Sequence, residues 1–417
     1  MEGLRSKFFI TIGILLLFRL GCALPVPFIQ KDVIGAIFGS GNLFSYMSML
    51  SGGALERCAL LALGVSPYIN ASIIMQLLAV ALPSVEKMLK EDKDKYRRVM
   101  QWLSLGMALV MSIGYYAILR SYGALTYTQG AAAVLAAMVI VAAFAAGAQL
   151  TVWLGWLIDD YGIGNGVSLL IFAGIVSRWS SVLYTVNAFI YYFQTKDIIH
   201  CIFVGLIPVL AVLAVYFVVK TTDAEKRVPV QYARAAGKAG YPGAGRTHIP
   251  IKVVMSGVLP IIFAGTVMSI PSTVGAFLNP SNHPATYRVL TGFTSSNWLY
   301  CILYVVLIFA FNFFYIDIQF DATKISNDLR VAGASVPGIR PGLPTAEHLR
   351  KTANSVAFLG AGILAIIAAV PIILGNLMGM SIQLGGTSLL IVVGVALEVV
   401  ASLDSIVAVR HQKGFLK

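Results

Sequence analysis

Histidine and cysteine most often supply catalytic or metal chemistry, and this chain of 417 residues has five histidines and four cysteines. The histidines fall in loops or at the ends of apolar segments, and no HExxH pair could hold zinc. The cysteines lack the paired spacing of a metal site or a disulfide framework. No serine lies in a GxSxG sequence, the usual surrounding of a hydrolase nucleophile. We therefore predict no catalytic, cofactor-binding or metal site.

The sequence GIGNG at 162–166 is the one stretch that could be mistaken for a nucleotide-binding loop. No strand pattern precedes it and no lysine follows it, so it predicts a tight turn between two apolar segments. An intramembrane enzyme stays an alternative without a motif to support it. Because the sequence has no phosphate-binding motif, a process driven by nucleotide hydrolysis would need a partner protein to supply the energy.

Composition predicts a polytopic membrane protein. Hydrophobic residues make up 58% of the chain and charged residues 12%, against about 25% charged residues in soluble domains. The net charge of +12 could indicate nucleic-acid binding. In a membrane protein, however, lysines and arginines in loops commonly set the orientation of the chain.

Ten apolar segments are long enough to cross a bilayer when read with a window of about 19 residues. They lie near 8–26, 60–82, 99–119, 129–157, 167–186, 200–219, 253–277, 298–316, 355–375 and 386–403. An even number of spans puts both termini on one side, and that side receives 23 of the 30 lysines and arginines. By the positive-inside rule, both termini are predicted to be cytoplasmic.

The stretch from Ser51 to Leu82 is unlike an ordinary span. Gly52 and Gly53 loosen its start, and a charged pair, Glu56 and Arg57, precedes the apolar run that Pro67 interrupts. A helix facing lipid needs neither feature. We predict a short half-helix followed by a full span, an arrangement tolerated at membrane depth only inside a channel or transporter.

Two cytoplasmic loops, 220–252 and 317–354, exceed the roughly 12 to 15 residues of ordinary connectors. In the first, apolar and polar residues alternate over 226–234, a glycine-rich stretch follows, and the pattern resumes at Thr247. This pattern predicts a projecting β-hairpin. In the second, residues 324–330 are predicted to be helical, and VPGIRPGLP at 336–344 predicts a rigid turn that presents Arg340.

These features together resemble the SecY family, the pore subunits of bacterial protein-translocation channels. Six stretches carry the resemblance, in the order in which the family has them. They are GGALERCALLALGVSPYINASIIMQLL (52–78), GIGNGVSLLIFAGI (162–175), RVPVQYAR (227–234), GVLPIIFAGTVMSIP (257–271), PGIRPG (337–342) and GGTSLLIVVGVALE (385–398).

The resemblance implies an all-α fold of ten transmembrane helices in two pseudo-symmetric, inverted halves around an hourglass pore. The halves are expected at 1–186 and 187–403, with a cytoplasmic tail at 404–417. A plug at about 42–58 would close the external funnel. Its expected residues are Asn42, Gly52, Gly53, Glu56 and Arg57.

The resemblance also implies a ring of aliphatic side chains at the waist of the pore, expected at Ile69, Ile171, Ile262 and Ile391, with Val65 and Val167 one turn away. A narrow apolar constriction loses its water, so it blocks ions while a peptide can push its soft side chains aside. An isoleucine in an apolar span more commonly faces lipid or the core. Only the motif positions favour the ring.

The family has a second exit, a lateral gate through which apolar segments of a substrate reach the lipid. Its expected polar residues are Asn70, Gln76, Thr266 and Asn312. Hydrogen bonds between membrane helices contribute only about 1 kcal/mol each, so helices joined only by such bonds at the gate could separate. The alternative is that each residue satisfies a neighbouring backbone group within the helix bundle.

On the cytoplasmic side, the arginines expected to dock partners are Arg227, Arg234 and Arg340. A guanidinium group binds phosphate or carboxylate in a two-point geometry. These arginines could instead serve only to fix the topology. The basic stretch at 87–98 alternates with acidic residues and is expected to be a solvated, lipid-facing turn.

The partners implied are the small membrane subunits SecE and SecG, the SecA ATPase, the ribosome, anionic lipids, and secretory and membrane-protein polypeptides. The implied location is a bacterial plasma membrane, with a thylakoid membrane as the lesser option. A secondary solute transporter is the main alternative, because broken helices and inverted halves occur there too. Ion-coupled carriers usually keep carboxylates or histidines at the midplane as coupling sites, whereas Glu398, the one carboxylate within the predicted spans, lies near a span end. Arg19 likewise lies near the end of the first span.

Overall fold

The structure is a computed structural model, and it describes residues 2–30, 48, 51–177, 198–232, 247–255, 257, 259–277, 284–291, 297–378 and 391–404. The described helices are α1 (Glu2–Gly21), α2 (Ser66–Ala81), α3 (Pro83–Glu91), α4 (Lys93–Ser121), α5 (Gly130–Tyr161), α6 (Gly166–Ser177), α7 (Ile198–Asp223), α8 (Leu259–Phe277), α9 (Pro284–Thr291), α10 (Trp298–Gln319), α11 (Ala322–Val331), α12 (Leu343–Met378) and α13 (391–404). The strands are β1 (Glu225–Tyr232), β2 (Thr247–Lys252) and β3 (Ala334–Ser335).

Each of the ten predicted spans overlaps one of these helices. Within the described residues, four helical stretches are long and apolar enough to cross a membrane on their own, namely Lys93–Ser121, Gly130–Tyr161, Trp298–Val331 and Leu343–Val370. Large apolar side chains such as Leu135 and Ile302 are about 60% exposed on these helices. An exposed apolar surface of this extent marks a protein that is solvated by lipid, so the chain is a membrane protein.

The chain divides into two compact units that differ in extent from the predicted halves. The first comprises Met1–Val204, Thr266–Asn297 and Val395–Lys417, and the second comprises Gly205–Gly265 and Trp298–Gly394. The predicted division into inverted halves stays a prediction.

The first unit is built around the packing of α4 on α5. Ala108 and Leu119 of α4 meet Ile140, Phe144 and Ala148 of α5, and each of these side chains is fully buried. Small residues at the contact allow the two helices to approach closely, as is usual in membrane bundles. This packing forms the wall against which residues 51–65 lie.

The position of α2 agrees with the prediction that Pro67 breaks the apolar run. The helix begins at Ser66, so Pro67 lies in its first turn. A proline there loses no helical hydrogen bond, because the first N–H groups of a helix have no partner within it. Residues 51–65 are consequently outside the span.

Gly147 of α5 lets residues 51–65 approach the helix backbone. A β-carbon at this position would collide with the carbonyl oxygen of Leu60. We therefore expect Gly147→Ala to displace this segment and to lower the free energy of unfolding by about 1–3 kcal/mol, the usual range for overpacking. Thermal unfolding of the purified protein would measure the loss.

Gly106 of α4 provides the matched control, because no atom lies within 4 Å of the β-carbon that an alanine would add there. Removing a helical glycine at an open site is expected to stabilise the protein by about 0.5–1 kcal/mol. Equal melting temperatures for the two variants would show that Gly147 is not a packing requirement.

The second unit contains the predicted hairpin, and the structure confirms it. Strands β1 and β2 pair antiparallel, with Glu225 opposite Lys252 and Val230 opposite Thr247. Val228 and Ile251 are buried, and they pack with Leu349 and Ala353 of α12. The hairpin is thus fixed to the start of a long helix.

The sequence did not predict a third strand. Ala334 and Ser335 of β3 pair with Tyr232 and Gln231 of β1, which joins the loop 317–354 to the loop 220–252. Ala334 is 3% exposed. The two loops therefore form one sheet of order β2-β1-β3.

Candidate functional site

Residues 51–65, the described part of the predicted plug and its continuation, form successive turns rather than the predicted half-helix. Positive φ angles at Gly52 (67°), Gly53 (81°), Cys58 (47°) and Gly64 (52°) explain the difference, since a right-handed helix cannot pass through such residues. The earlier plug residue, Asn42, lies outside the described residues. Gly52 and Gly53 are buried, Glu56 is half-buried and Arg57 is exposed.

The start of this segment is held by α1 and α6. The carbonyl oxygen of Gly52 accepts a hydrogen bond from Arg19 Nη1 at 3.4 Å. Ser177 Oγ lies at the same distance from this oxygen, while its hydroxyl group donates to the carbonyl oxygen of Gly174 at 2.6 Å. Cys22 Sγ lies 3.8 Å from the carbonyl oxygen of Ser51. Arg19, which the sequence showed only as a charge near a span end, is thus an anchor.

The middle of the segment is held by α4. Tyr115 is 4% exposed, and its hydroxyl group donates to the carbonyl oxygen of Leu55 at 2.8 Å. The same hydroxyl lies 3.1 Å from Cys58 Sγ. The Tyr115 ring meets Phe144 edge-on, with centroids 5.1 Å apart. A polar bond inside an apolar cluster holds the segment at one defined position.

Tyr115→Phe should loosen this segment. The substitution keeps the ring but removes one of the two donors to the carbonyl oxygen of Leu55, which keeps its bond from the backbone N–H of Cys58 at 3.1 Å. Losing such a hydrogen bond typically costs about 0.5–1.5 kcal/mol. Cys58 is 1% exposed, so its reaction with a maleimide in membranes reports opening of the segment. With the other three cysteines changed to alanine, we expect labelling to be about tenfold faster.

Tyr116→Phe serves as the control, because Tyr116 is the next residue of α4 and lies at the edge of the same apolar cluster. The Tyr116→Phe variant should be labelled at the same rate as the parent, the protein that keeps Cys58 as its single cysteine. If Tyr115→Phe also labels at the parent rate, the hydroxyl bond does not hold the segment.

The four isoleucines of the predicted pore ring are all buried. Ile69 on α2 and Ile171 on α6 are 5% and 3% exposed, and Ile262 on α8 and Ile391 on α13 are 4% and 0% exposed. None of them therefore lies on the outward, lipid-facing surface. Of the two flanking valines, Val65 is 3% exposed and Val167 is half-buried. Burial is common to core residues and to the waist of a closed channel, so the ring stays a prediction.

The predicted gate residues make their described contacts within single units. Asn70 Nδ2 of α2 lies 3.5 Å from Met111 Sδ of α4. Asn312 of α10 is 1% exposed and donates to the carbonyl oxygen of Ala357 on α12 at 3.0 Å. These bonds fit the alternative, in which such residues satisfy groups on neighbouring helices.

The other two gate candidates differ in their surroundings. Gln76 Oε1 of α2 is buried and has no hydrogen-bond partner among the described residues. Thr266 of α8 is half-buried. A gate role for all four residues stays a prediction.

Two of the three arginines predicted to dock partners are among the described residues, one on the sheet and one in the turn that follows it. Arg227 on β1 has a side chain that is 66% exposed and donates to Glu225 Oε1 at 2.7 Å. Arg340 is exposed in the turn before α12. Arg234 lies outside the described residues.

Hydrogen bonds fix the backbone of the turn that carries Arg340. Thr345 Oγ1 donates to the carbonyl oxygen of Arg340 at 2.8 Å, and Ser326 Oγ of α11 donates to that of Gly342 at 2.7 Å. Gly338 and Gly342 have φ angles of 80° and 104°, which a residue with a side chain rarely adopts. The turn therefore presents an exposed arginine on a backbone held by hydrogen bonds.

The sequence of this chain is similar to those of bacterial translocase subunits along its full length. The protein translocase subunit SecY of Thermotoga maritima is 35% identical over 99% of this chain and 95% of its own length. That of Streptomyces coelicolor is 35% identical over 99% and 97%, and that of Aquifex aeolicus is 34% identical over 100% and 97%.

Solved structures agree in fold. A protein-conducting channel superposes with a TM-score of 0.64 at 18% identity, covering 96% of this chain and 92% of its own. A SecY structure whose plug domain stabilises the closed channel gives a TM-score of 0.66 at 20% identity, with the same coverage. The sequence pattern of the SecY family matches residues 59–400. The chain therefore belongs to the SecY family.

Proposed function

We propose that this chain is the pore-forming subunit of a Sec translocase, which passes unfolded polypeptides across a membrane and releases apolar segments sideways into lipid. The observation that carries the proposal is the match, over 99% of the chain or more, with relatives that are each named protein translocase subunit SecY. Membership of the family, the apolar helices and the anchored segment at 51–65 all fit this function.

In the proposed channel, ten helices form two inverted halves, and residues 42–58 close the outer funnel. Arg19 and Tyr115 hold the closed plug at the carbonyl oxygens of Gly52 and Leu55. A substrate opens the channel by exchanging these bonds for its own contacts. Because each bond is short-range and individually weak, the plug can be released without unfolding the helices around it.

The proposed seal is the aliphatic ring of Ile69, Ile171, Ile262 and Ile391. Ions keep a shell of water that a narrow apolar waist does not hold, so the waist is closed to them. A polypeptide brings apolar side chains of its own and displaces the ring. The same ring then closes around the substrate, which limits leakage during transport.

We place both termini and the sheet β2-β1-β3 on the cytoplasmic side, in a bacterial plasma membrane, with Arg227, Arg234 and Arg340 as docking residues. The proposed partners are SecE, SecG, SecA, the ribosome and anionic lipids. Among the related folds is Sec61 in a canine ribosome-channel complex, with a TM-score of 0.64. A ribosome is a partner of that channel, and the fold supports the same kind of docking here.

A solute carrier finds no support in the relatives, which are translocase subunits. The carboxylates at the end of α5 also have structural partners. Asp160 forms a two-point ion pair with Arg97, with N···O distances of 3.1 and 3.2 Å, and Asp159 accepts from the backbone N–H of Gly166 at 2.6 Å. These bonds join α5 to α4 and to the start of α6.

Cross-linking tests the proposed function. A secretory chain stalled during transport should form a disulfide with a cysteine placed at Ile171 in a background without other cysteines. Leu135→Cys is the control, because the Leu135 side chain is 60% exposed on the apolar surface of α5. Equal cross-linking at the two positions, or none at Ile171, would contradict a path past the ring.

A further inference from the structure

A groove between α10 and α12 combines charged and apolar walls. It has a volume of about 520 Å³ and is widely open to its surroundings, so a ligand would lie along it and would not be enclosed. Phe313 of α10 and Phe358 of α12 line one end, and Glu347, Arg350 and Lys351 of α12 line the other. Both helices belong to the second unit.

The groove lies where α12 leaves the hydrocarbon. The helix has 36 residues and is therefore about 54 Å long, against about 30 Å for the apolar core of a bilayer. Its first turns carry charges, and its exposed residues become apolar at Phe358 and Leu359, which are 59% and 63% exposed. The groove therefore spans the boundary between headgroups and acyl chains.

Charges of both signs line the headgroup end. Lys351 and Arg350 are cationic, and Glu347 is a carboxylate one turn before Lys351. Arg350 Nη2 also pairs with Asp317 Oδ1 of α10 at 3.2 Å. Among the described residues, Glu347 and Lys351 form no ion pair, so each is available to a ligand. A purely anionic headgroup would pair with Lys351 and with the remaining N–H groups of Arg350, and Glu347 would repel it.

We propose that this groove is a binding site for an aminophospholipid with an ethanolamine headgroup. Along the helix, the order of groups is an aromatic side chain, then Ser355 and Asn354, then Lys351, then Glu347. The lipid has the same order of acyl chain, glycerol ester, phosphate and ammonium. Residues four apart on a helix lie about 5–6 Å apart at Cβ, similar to the two-carbon link between phosphate and ammonium.

The chemistry of each contact selects this headgroup. The phosphate accepts from Lys351 and from the free N–H groups of Arg350, and the ammonium donates to Glu347. A choline headgroup has three methyl groups on its nitrogen and cannot donate. The glycerol headgroup of phosphatidylglycerol has no cation for Glu347. The proposal requires only that the chain lies in a bilayer, so it does not depend on polypeptide transport.

Native mass spectrometry tests the site. The full-length chain, purified with its associated subunits, would be exposed to equal amounts of phosphatidylethanolamine, phosphatidylcholine and phosphatidylglycerol with identical acyl chains. We expect the ethanolamine lipid to be retained about fivefold over each of the others, the scale of one exposed charge-assisted hydrogen bond. Glu347→Gln should abolish this preference, and Lys351→Gln should lower retention of all three lipids.

Glu91→Gln is the matched control, since it removes an exposed carboxylate from α3 in the first unit. It should keep the preference of the parent protein. Glu347 and Lys351 are exposed, and unchanged melting temperatures would establish that the variants are folded. Equal retention of the three lipids by the parent protein, stronger retention of phosphatidylglycerol, or an unchanged preference in Glu347→Gln would overturn the proposal.

Discussion

Changing Ile69 and Ile262 together to glycine should raise the ion conductance of the resting channel by about tenfold, because two of the four proposed ring side chains are removed. Both residues are buried, at 5% and 4% exposure. Removing both side chains widens the proposed waist, and water that enters it carries ions. Conductance of the purified protein in planar bilayers would measure the effect.

The glycines themselves lower helix stability by about 1 kcal/mol each, so the control must carry the same cost. Met75→Gly with Ile261→Gly meets this requirement, because Met75 lies six residues after Ile69 and therefore on another face of α2. Met75 and Ile261, which lies on α8, are 3% and 0% exposed. If this second double variant leaks as much as the first, the leak comes from loosened packing and the ring is misplaced.

Much of the fold follows from local sequence patterns. A long apolar run has to satisfy its backbone hydrogen bonds internally when it lies in lipid, so hydropathy alone located a helix at every predicted span. The hairpin followed from strict alternation before and after a glycine-rich stretch. Pro67 was correctly taken as a break, because its ring restricts where a helix can begin.

The features that the sequence did not predict depend on contacts between distant residues. Ala334 and Ser335 carry no strand pattern of their own, and they pair with β1 because the turn after α11 brings them there. The segment at 51–65 was predicted as a half-helix, yet its shape follows from positive φ angles and from bonds to Tyr115 and Arg19. A single tyrosine in an apolar span gives no sign of such a bond.

Arg340 lies in the turn that connects the sheet β2-β1-β3 to α12. The turn that carries this residue begins just after β3 and ends at α12, and side chains of Ser326 and Thr345 hold its backbone. Arg340 itself is exposed. A change at this side chain should therefore alter what the turn presents and leave the turn intact.

Arg340→Glu should reduce ATP-driven transport of a secretory precursor into inverted membrane vesicles by at least about tenfold. A partner carboxylate or phosphate that pairs with the guanidinium group would meet a like charge instead, and such pairs at an interface are worth about 2–5 kcal/mol. The amount of the chain in the membrane should stay unchanged, because the side chain is exposed and the turn is held through its backbone.

Arg330→Glu separates docking from topology. Arg330 is exposed at the end of α11 in the same loop, 317–354, so the two variants change the net charge of that loop equally. Topology depends on the count of positive charges near the spans, whereas docking depends on which arginine the partner touches. Transport that falls only in Arg340→Glu therefore assigns the residue to docking. An equal fall of transport in both variants would mean that Arg340 contributes only a positive charge that sets the orientation of the chain. Normal transport in Arg340→Glu would mean that Arg340 is needed neither for docking nor for orientation.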